Sequence, residues 1–433
     1  MSTVQTAPAA AAQPHVRDRA DRHRQIRLVV TFAITSLVLV YFALAIDDPS
    51  VRYILGERVT KEVQPQPLNG TAVSWAAVAV SVVALALAAV NRFPRGAAGA
   101  AIGLAVGVMF YLGFLMWAYA DQGEGFVAAI ANPIPGTIRI ATPLVFGALA
   151  GVLCERAGVI NIAIEAQFLA GAFFASVAAS LAFSAFMGLL GGIAAGLLIA
   201  AMLAVFALRY HVNQVVLGVV LVAFASGLTS FLLGQIPSDP AIKQYFNEPP
   251  ILENIRIPGL VDIPVIGEAL FEQTILVYLM YASVVFVTFL LFQTRWGLRA
   301  RSVGEHPTAA DTVGIKVNRV RWQAVLLGGV FAGLGGAYYT VGSTGAFDRD
   351  VSAGTGFIAL AAVIMGRWHP VGATFAALFF GFMWNLQNQL SFADKLPGEL
   401  LGAAPYLATI IAVAGFVGRV RPPAADGEPY VKS

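Results

Sequence analysis

Long apolar runs separated by short charged clusters set the first limit on what this chain can fold into. From Leu28 onward the sequence repeatedly goes some 17–25 residues almost without charge, the length of helix that crosses a hydrocarbon layer of about 30 Å. A backbone in lipid has no water to bond to, so each run must satisfy its own N–H and C=O groups as a helix. Only 12% of the 433 residues are charged and 58% are hydrophobic, whereas soluble domains carry roughly 25% charge. A soluble globule of this length lacks the interior to hide so much apolar side chain. The fold class expected is all-α: a polytopic transmembrane helix bundle of about 10–12 membrane segments, one of them short and broken or re-entrant.

The runs place spans near 28–46, 72–90, 97–119, 137–153, 159–183, 186–208, 213–235, 274–293, 322–342, 355–366, 369–390 and 403–418. The tenth is too short to cross alone, and broken helices are tolerated only against protein or a water-filled cavity. With the N-terminus inside, 19 of the 27 Lys and Arg residues fall on the side of the termini and 8 on the other. Basic residues favour the cytoplasmic side, so both termini are expected in the cytoplasm. The formal net charge of +3 therefore reads as an orientation signal and not as a nucleic-acid surface. Residues 1–27 read as a disordered basic cytoplasmic tail, 28–136 as N-terminal membrane helices, and 421–433 as a C-terminal cytoplasmic tail. Ala43-Leu44-Ala45 resembles a signal cleavage site, but the apolar stretch before it is longer than a signal core.

Cys154 is the lone cysteine, which leaves no intramolecular disulfide and no cysteine metal site. No histidine pair has ligand spacing, so no metal is expected. Glycines recur every fourth residue at Gly99, Gly103 and Gly107, at Gly188, Gly192 and Gly196, and at Gly329 and Gly333. That spacing lets helix backbones approach closely, and bundle packing is the simplest reading.

Polar residues within the spans are the candidates for a solute path. Glu165 is the one carboxylate well inside a segment, about 9 Å from its start at 1.5 Å per residue. An intramembrane carboxylate is costly and by default functional; Glu165 fits a solute contact, but its position toward the cytoplasm favours a structural role, capping a broken helix or bonding neighbouring backbone and Asn161. Asn385, Gln387, Asn388 and Gln389 form an amide cluster near the outer end of the eleventh span. Amides both donate and accept, which suits base edges and sugar hydroxyls as well as helix-to-helix bonding. The proline-dense stretch 236–273 is expected to be a stiff, irregular outer loop.

The most informative segment lies in the loop 294–321. Pro307 suits the first position of a helix and Gly314 a left-handed cap, giving a two-turn helix over 307–313. So short a helix is marginal alone and needs a surface to dock on. Held between two membrane helices, it would be a handle for a cytoplasmic partner.

Four blocks carry a resemblance. They are Glu155-Arg156-Ala157-Gly158 through Asn161 to Glu165, then Asn213-Gln214-Val215-Val216-Leu217-Gly218, then Gly304-Glu305-His306-Pro307 through Ala310 and Asp311 to Gly314, and finally Gly356-Phe357 through Trp368-His369-Pro370. In this order they resemble ABC importer permeases of the branched-chain amino acid and simple-sugar group, above all its nucleoside members. The family usually has Gly where Ala166 stands, Glu at Gln214 and a small polar residue at His369.

The resemblance implies that 137–420 is a permease core. It implies that Gly304, Glu305, His306, Pro307, Ala310, Asp311 and Gly314 couple to an ABC ATPase subunit. It also implies a second permease, often non-identical, and an extracytoplasmic solute-binding protein or lipoprotein. None of the five lysines follows Gly, so no phosphate loop of Walker type is present. This chain is then expected not to be an enzyme and to hold no cofactor, with ATP and Mg bound by the partner. The alternatives are an ion-gradient-driven secondary carrier, which commonly needs several intramembrane ionisable groups, or a permease for a sugar or amino acid. An intramembrane enzyme finds no support, since His-Glu-x-x-His and Gly-x-Ser-x-Gly are both missing.

Overall fold

The computed structural model describes residues 19–54, 64–122, 127–130, 133–235, 246–263, 266–390, 403 and 421–432. Nine helices among them are long and apolar enough to cross a membrane. The chain divides into two compact units, 1–130 and 131–433.

In the first unit α1 (Arg19–Leu44), α2 (Gly70–Ala89) and α3 (Ala97–Tyr119) pack on one another. Helix α1 begins at Arg19, so the basic residues Arg22, Arg24 and Arg27 lie on helical turns ahead of the expected apolar start at Leu28. Two of these turns are anchored: Arg24 donates to the Pro94 carbonyl at 3.0 Å, and Gln25 to that of Ala89 at 2.8 Å. Asn69 caps α2 by accepting from the Ala72 N–H at 2.9 Å, which satisfies one of the four donors a helix start leaves open. A buried side-chain hydrogen bond between α1 and α2 joins Ser36 and Ser81 at 2.8 Å. A small sheet sits beside them. Strand β1 (Ser50–Ile54) pairs antiparallel with β2 (Gln66–Asn69), Val51 opposite Leu68, and parallel with β3 (Ala128–Ala129).

The second unit contains α4 (Pro133–Arg156), α5 (Ile164–Ala182), α6 (Ala185–Ala204) with a π-turn at Val205–Arg209, and α7 (Gln214–Gln235). After a short helix α8 (Gly267–Phe271) come α9 (Ile275–Gln293), α10 (Arg295–Glu305), α11 (Pro307–Thr312) and α12 (Val317–Tyr339). Helix α12 runs on into a π-turn at Thr340–Thr344, then α13 (Thr355–Met365) and α14 (Pro370–Leu390) follow. The expected twelfth span, 403–418, lies outside the described residues apart from Ala403. The outer loop is not wholly irregular, because β4 (Asn254–Arg256) pairs with β5 (Glu272–Thr274), joined by an Arg256–Glu272 ion pair at 3.2 Å.

Helix α12 is the axis of this unit and packs against α4, α5 and α6. The glycine spacing makes that possible. A Cβ at Gly196 would fall 2.6 Å from the Cα of Gly333, and one at Gly192 2.9 Å from the Gly333 carbonyl. Side chains there would push the two backbones apart. By contrast, a Cβ at Gly103 or Gly107 of α3 would meet nothing within 4 Å.

Two helices are interrupted. Helix α5 starts only at Ile164, after a turn over 157–163, and Ile164 packs against Gly147 and Gly151 of α4. Gly151 is five residues short of α4's end, so α5 begins roughly 8 Å inside that end, at 1.5 Å per residue. Helix α13, of 11 residues, is the short segment expected from the sequence. A tight corner follows it, with Arg367 and Trp368 both left-handed at φ 56° and 53°, a backbone region that non-glycine residues seldom adopt.

Candidate functional site

The two interrupted helices meet. Glu165, in the first turn of α5, is 2% exposed and receives three hydrogen bonds from the start of α13. The Ser352 hydroxyl donates to Oε1 at 2.6 Å, as does the Gly354 N–H at 2.9 Å, and the Gly356 N–H donates to Oε2 at 2.6 Å. A helix start offers open N–H groups and the positive end of its dipole, and a carboxylate there answers both. Beside it the Tyr339 and Thr355 hydroxyls share a hydrogen bond of 2.5 Å. This geometry makes Glu165 the cap of a broken helix.

Asn161 is fully buried in the turn before α5 and donates to Gln167 Oε1 at 3.2 Å. The same turn is tied to the second motif block, since Gln214 Oε1 accepts from the Ile160 N–H at 2.8 Å. Asn385 is placed elsewhere, donating to the Pro133 carbonyl at 3.4 Å at the opposite end of α4. Gln387 follows on α14, its Oε1 buried and without a partner among the described residues, while Asn388 is exposed. The candidate path residues therefore fall into two groups, Asn161 with Glu165 and Asn385 with Gln387 and Asn388.

At the end of the bundle where α4 finishes, the first, third and fourth blocks converge. Trp368 donates its indole N–H to Glu155, and Arg156 donates through Nε to the Trp368 carbonyl at 2.8 Å. The two left-handed residues of the α13–α14 corner are thus held by the last turn of α4. Phe292 at the end of α9 stacks on His369 at 4.8 Å, with the Arg301 guanidinium 5.0 Å from its ring centre. Burial and nearby Arg156 both push the His369 imidazole below its ordinary range, so the ring favours its neutral form. Gly304 faces the same turn, and a Cβ there would collide with the Arg156 carbonyl. Gly158, at φ +82°, has no room for a side chain either: a Cβ would lie 2.8 Å from Arg321 Nη2.

The segment 294–321 carries more helix than expected. The stretch before Pro307 is an 11-residue helix, α10, and not loop. Thr294 caps it by accepting from the Gly297 N–H at 3.1 Å. Its apolar face buries Ala300 and Val303 while Leu298 is 62% exposed. Charge at Arg295, Arg299 and Arg301 and glycine at two positions hide this helix from a hydropathy reading. Helix α11 spans Pro307–Thr312, with Pro307 at its start and Gly314 just beyond it at φ +85°. Of the coupling candidates, Gly304 and Ala310 face inward; Glu305, His306 and Gly314 are exposed, with Pro307 and Asp311 between. Val313 is 75% exposed. A groove of about 490 Å³ opens alongside, lined by Trp296, Arg299, Val313, Lys316, Arg319 and others.

A helical bundle whose distant motif blocks close on one short exposed helix has the build of a permease component. A family model described as "Branched-chain amino acid transport system / permease component" matches residues 133–417, and the chain belongs to that family. It is 40% identical over 314 residues to the guanosine ABC transporter permease protein NupQ of Bacillus subtilis, covering 69% of this chain and 96% of the relative. It is 39% identical over 310 residues to the nucleoside ABC transporter permease protein NupC of Lactococcus lactis, covering 68% and 94%. A putative glucose ABC transporter permease protein of Haloferax volcanii, TsgC13, is 34% identical over 262 residues, covering 60% and 78%. The first two organisms also hold a second similar permease each, NupP and NupB. No solved structure matches.

One segment that sequence reasoning passed over joins this site. Residues 421–432, expected to be a plain tail, lie folded against α10, α11 and α12. Arg321 of α12 is fully buried and donates to the carbonyls of Glu428 at 2.7 Å and Ala425 at 3.5 Å. Burial pushes the Asp426 carboxyl up to about 7, against the opposing pull of Arg321. The signal in the sequence was Tyr430, one aromatic in a polar, proline-rich stretch.

Proposed function

We propose that this permease imports nucleosides, as part of an ATP-binding cassette transporter. The observation that carries the substrate class is the similarity to NupQ and NupC, guanosine and nucleoside permeases matched across nearly their whole length. The end of the bundle bearing α10 and α11 is cytoplasmic in this reading, with both termini on that side, which agrees with the excess of Lys and Arg there. ATP and Mg are held and ATP is hydrolysed by a separate ATPase, which docks on the exposed face of α10 and α11 around Leu298, His306 and Val313. A solute-binding protein or lipoprotein delivers the nucleoside from outside. The paired relatives NupQ with NupP and NupC with NupB support a second, non-identical permease across the solute path.

Within this chain, Asn385, Gln387 and Asn388 are the residues we assign to the outer part of the path, where amides suit base edges and ribose hydroxyls. Asn161 and Glu165 organise the interrupted helices through which alternating access passes. Half-helix ends near the middle of a membrane are a recurring device of transporters. When the ATPase dimer closes, α10 and α11 move with it, and Arg156 and Trp368 pass the motion to α4, α13 and α14.

Gentle-detergent purification of the chain from its native membrane, followed by tritiated guanosine uptake in vesicles, tests this. The expected result is co-purification of an ATPase, a second permease and a lipoprotein, with uptake that stops when ATP is withheld. Recovery of the chain alone, with uptake driven by an ion gradient and indifferent to ATP, would sink it in favour of a secondary carrier.

A further inference from the structure

The C-terminal segment makes contacts that a solvated tail would not make. The Ala425 N–H donates to the Gly304 carbonyl at 2.9 Å, where α10 ends, and the Ala424 N–H to Glu305 Oε2 at 3.3 Å. Lys432 pairs with Asp311 of α11 at 3.6 Å. Tyr430, 8% exposed, inserts its ring among Ala157, Ala300, Val303, Ala310 and Val320. Those residues come from the α4–α5 turn, α10, α11 and α12, so one apolar cluster that includes Tyr430 joins every element around the handle. A further bond runs from the Gly427 N–H to the Gly158 carbonyl at 3.4 Å. Beneath the segment lies Arg321, whose hydrogen-bond acceptors are both carbonyls of the segment.

A six-residue helix does not hold its own shape, and α11 is linked to α10 by the single residue His306 and to the membrane helix α12 by four residues over 313–316. A push on it would be lost as local bending unless something ties it down. The segment supplies that tie. A fully buried guanidinium left without its acceptors is costly, which opposes the segment lifting off. We propose that residues 421–432 form a strap that keeps α10 and α11 moving as one body with α4 and α12, making Tyr430 and Arg321 positioning residues for coupling. The inference rests on the permease reading above, because a strap on the handle matters only if the handle is pushed.

The test uses the full-length chain in its assembled transporter, in vesicles where tritiated guanosine uptake and ATP hydrolysis are measured together. In Tyr430→Ala, hydrolysis continues while guanosine moved per ATP falls roughly fivefold or more, the lower end of ordinary coupling energies. Tyr430→Phe, which keeps the ring in its pocket, restores the ratio. A merely structural role would lower uptake and hydrolysis in proportion, with the ratio unmoved, and that result would overturn the strap. Should Tyr430→Ala fail to assemble, Lys432→Glu reads the same quantity at an exposed site. The ratio falls in that variant; no fall in Lys432→Glu overturns the strap. Wild-type vesicles that take up guanosine without ATP would overturn the permease reading and the strap with it. ATP-coupled wild type beside an unmoved variant ratio would overturn the strap alone.

Discussion

The second unit buries three apolar helices at its centre, α4, α5 and α12, while its α7 and α9, 28% and 33% buried, stay as open as the helices of the first unit. In the second unit the helices Pro133–Arg156 and Val317–Thr344 are 83% and 78% buried over their apolar windows; in the first, α1 and α3 are 28% buried each. The glycine stripes follow the same division. Gly192 and Gly196 are covered by Gly333, while Gly103 and Gly107 meet nothing within 4 Å. Polar groups divide likewise: Glu155, Asn161, Glu165 and Gln167 are buried in the second unit, against three serines, Ser36, Ser74 and Ser81, in the first. Small residues at every fourth position therefore state only that a close approach is possible. Whether it happens depends on a partner helix that lies far away in sequence.

Substitutions ordered by expected effect put this contrast under strain. Glu165→Ala should do most, because it strips the acceptor from three donors at the start of α13 at about 1–3 kcal/mol for each buried group left unpaired. Thermal unfolding in detergent and guanosine uptake should both collapse; retained uptake would mean that α13 needs no cap. Gly196→Leu comes next, since overpacking a close helix contact costs about 1–3 kcal/mol, read as a lower unfolding temperature of the purified chain. Ser36→Ala leaves Ser81 without its buried partner and should cost about 1 kcal/mol in the same assay. Gly103→Leu should change stability by less than about 0.5 kcal/mol, as exposed substitutions do. A loss at Gly103 as large as that at Gly196 would break the contrast.

A pH titration sharpens the picture at the strap. The folded Asp426 carboxyl is raised above its ordinary 3.8 to about 7, so the proton is bound more tightly docked than free. The docked state is therefore favoured fully below about 4 and loses that advantage as pH rises through about 7. Protease cleavage within 421–432 should quicken over that window in the wild type and depend less on pH in Asp426→Asn.

Much of the architecture was legible because it rests on local chemistry. Apolar run length placed the spans, and Pro307 and Gly314 marked both ends of α11. The short run at 355–366 announced an interrupted helix. What escaped depends on partners distant in the chain. Helix α10 was hidden because its arginines mask an apolar face that only α12 and Tyr430 define. The bonds of Glu165 reach 187 to 191 residues ahead, so its sequence context allowed a solute contact and a cap alike. Residues 421–432 read as a tail because Pro, Asp, Gly and Glu dominate them. Nothing local says that Arg321, 104 and 107 residues earlier, needs the carbonyls of Ala425 and Glu428.

The Glu165 cap also has a history within each molecule's synthesis. Ser352 is made 187 residues after Glu165, and at about 5–20 residues per second the ribosome needs on the order of 10–40 s to reach it. Throughout that interval α5 exists with its carboxylate and without the donors that settle it. The nascent helix must therefore wait with Glu165 near the water boundary and sink to its final depth only when α13 arrives. The last steps of maturation are then late ones, and a ribosome stalled before residue 356 leaves a chain whose spans are mostly made but whose centre is unfinished.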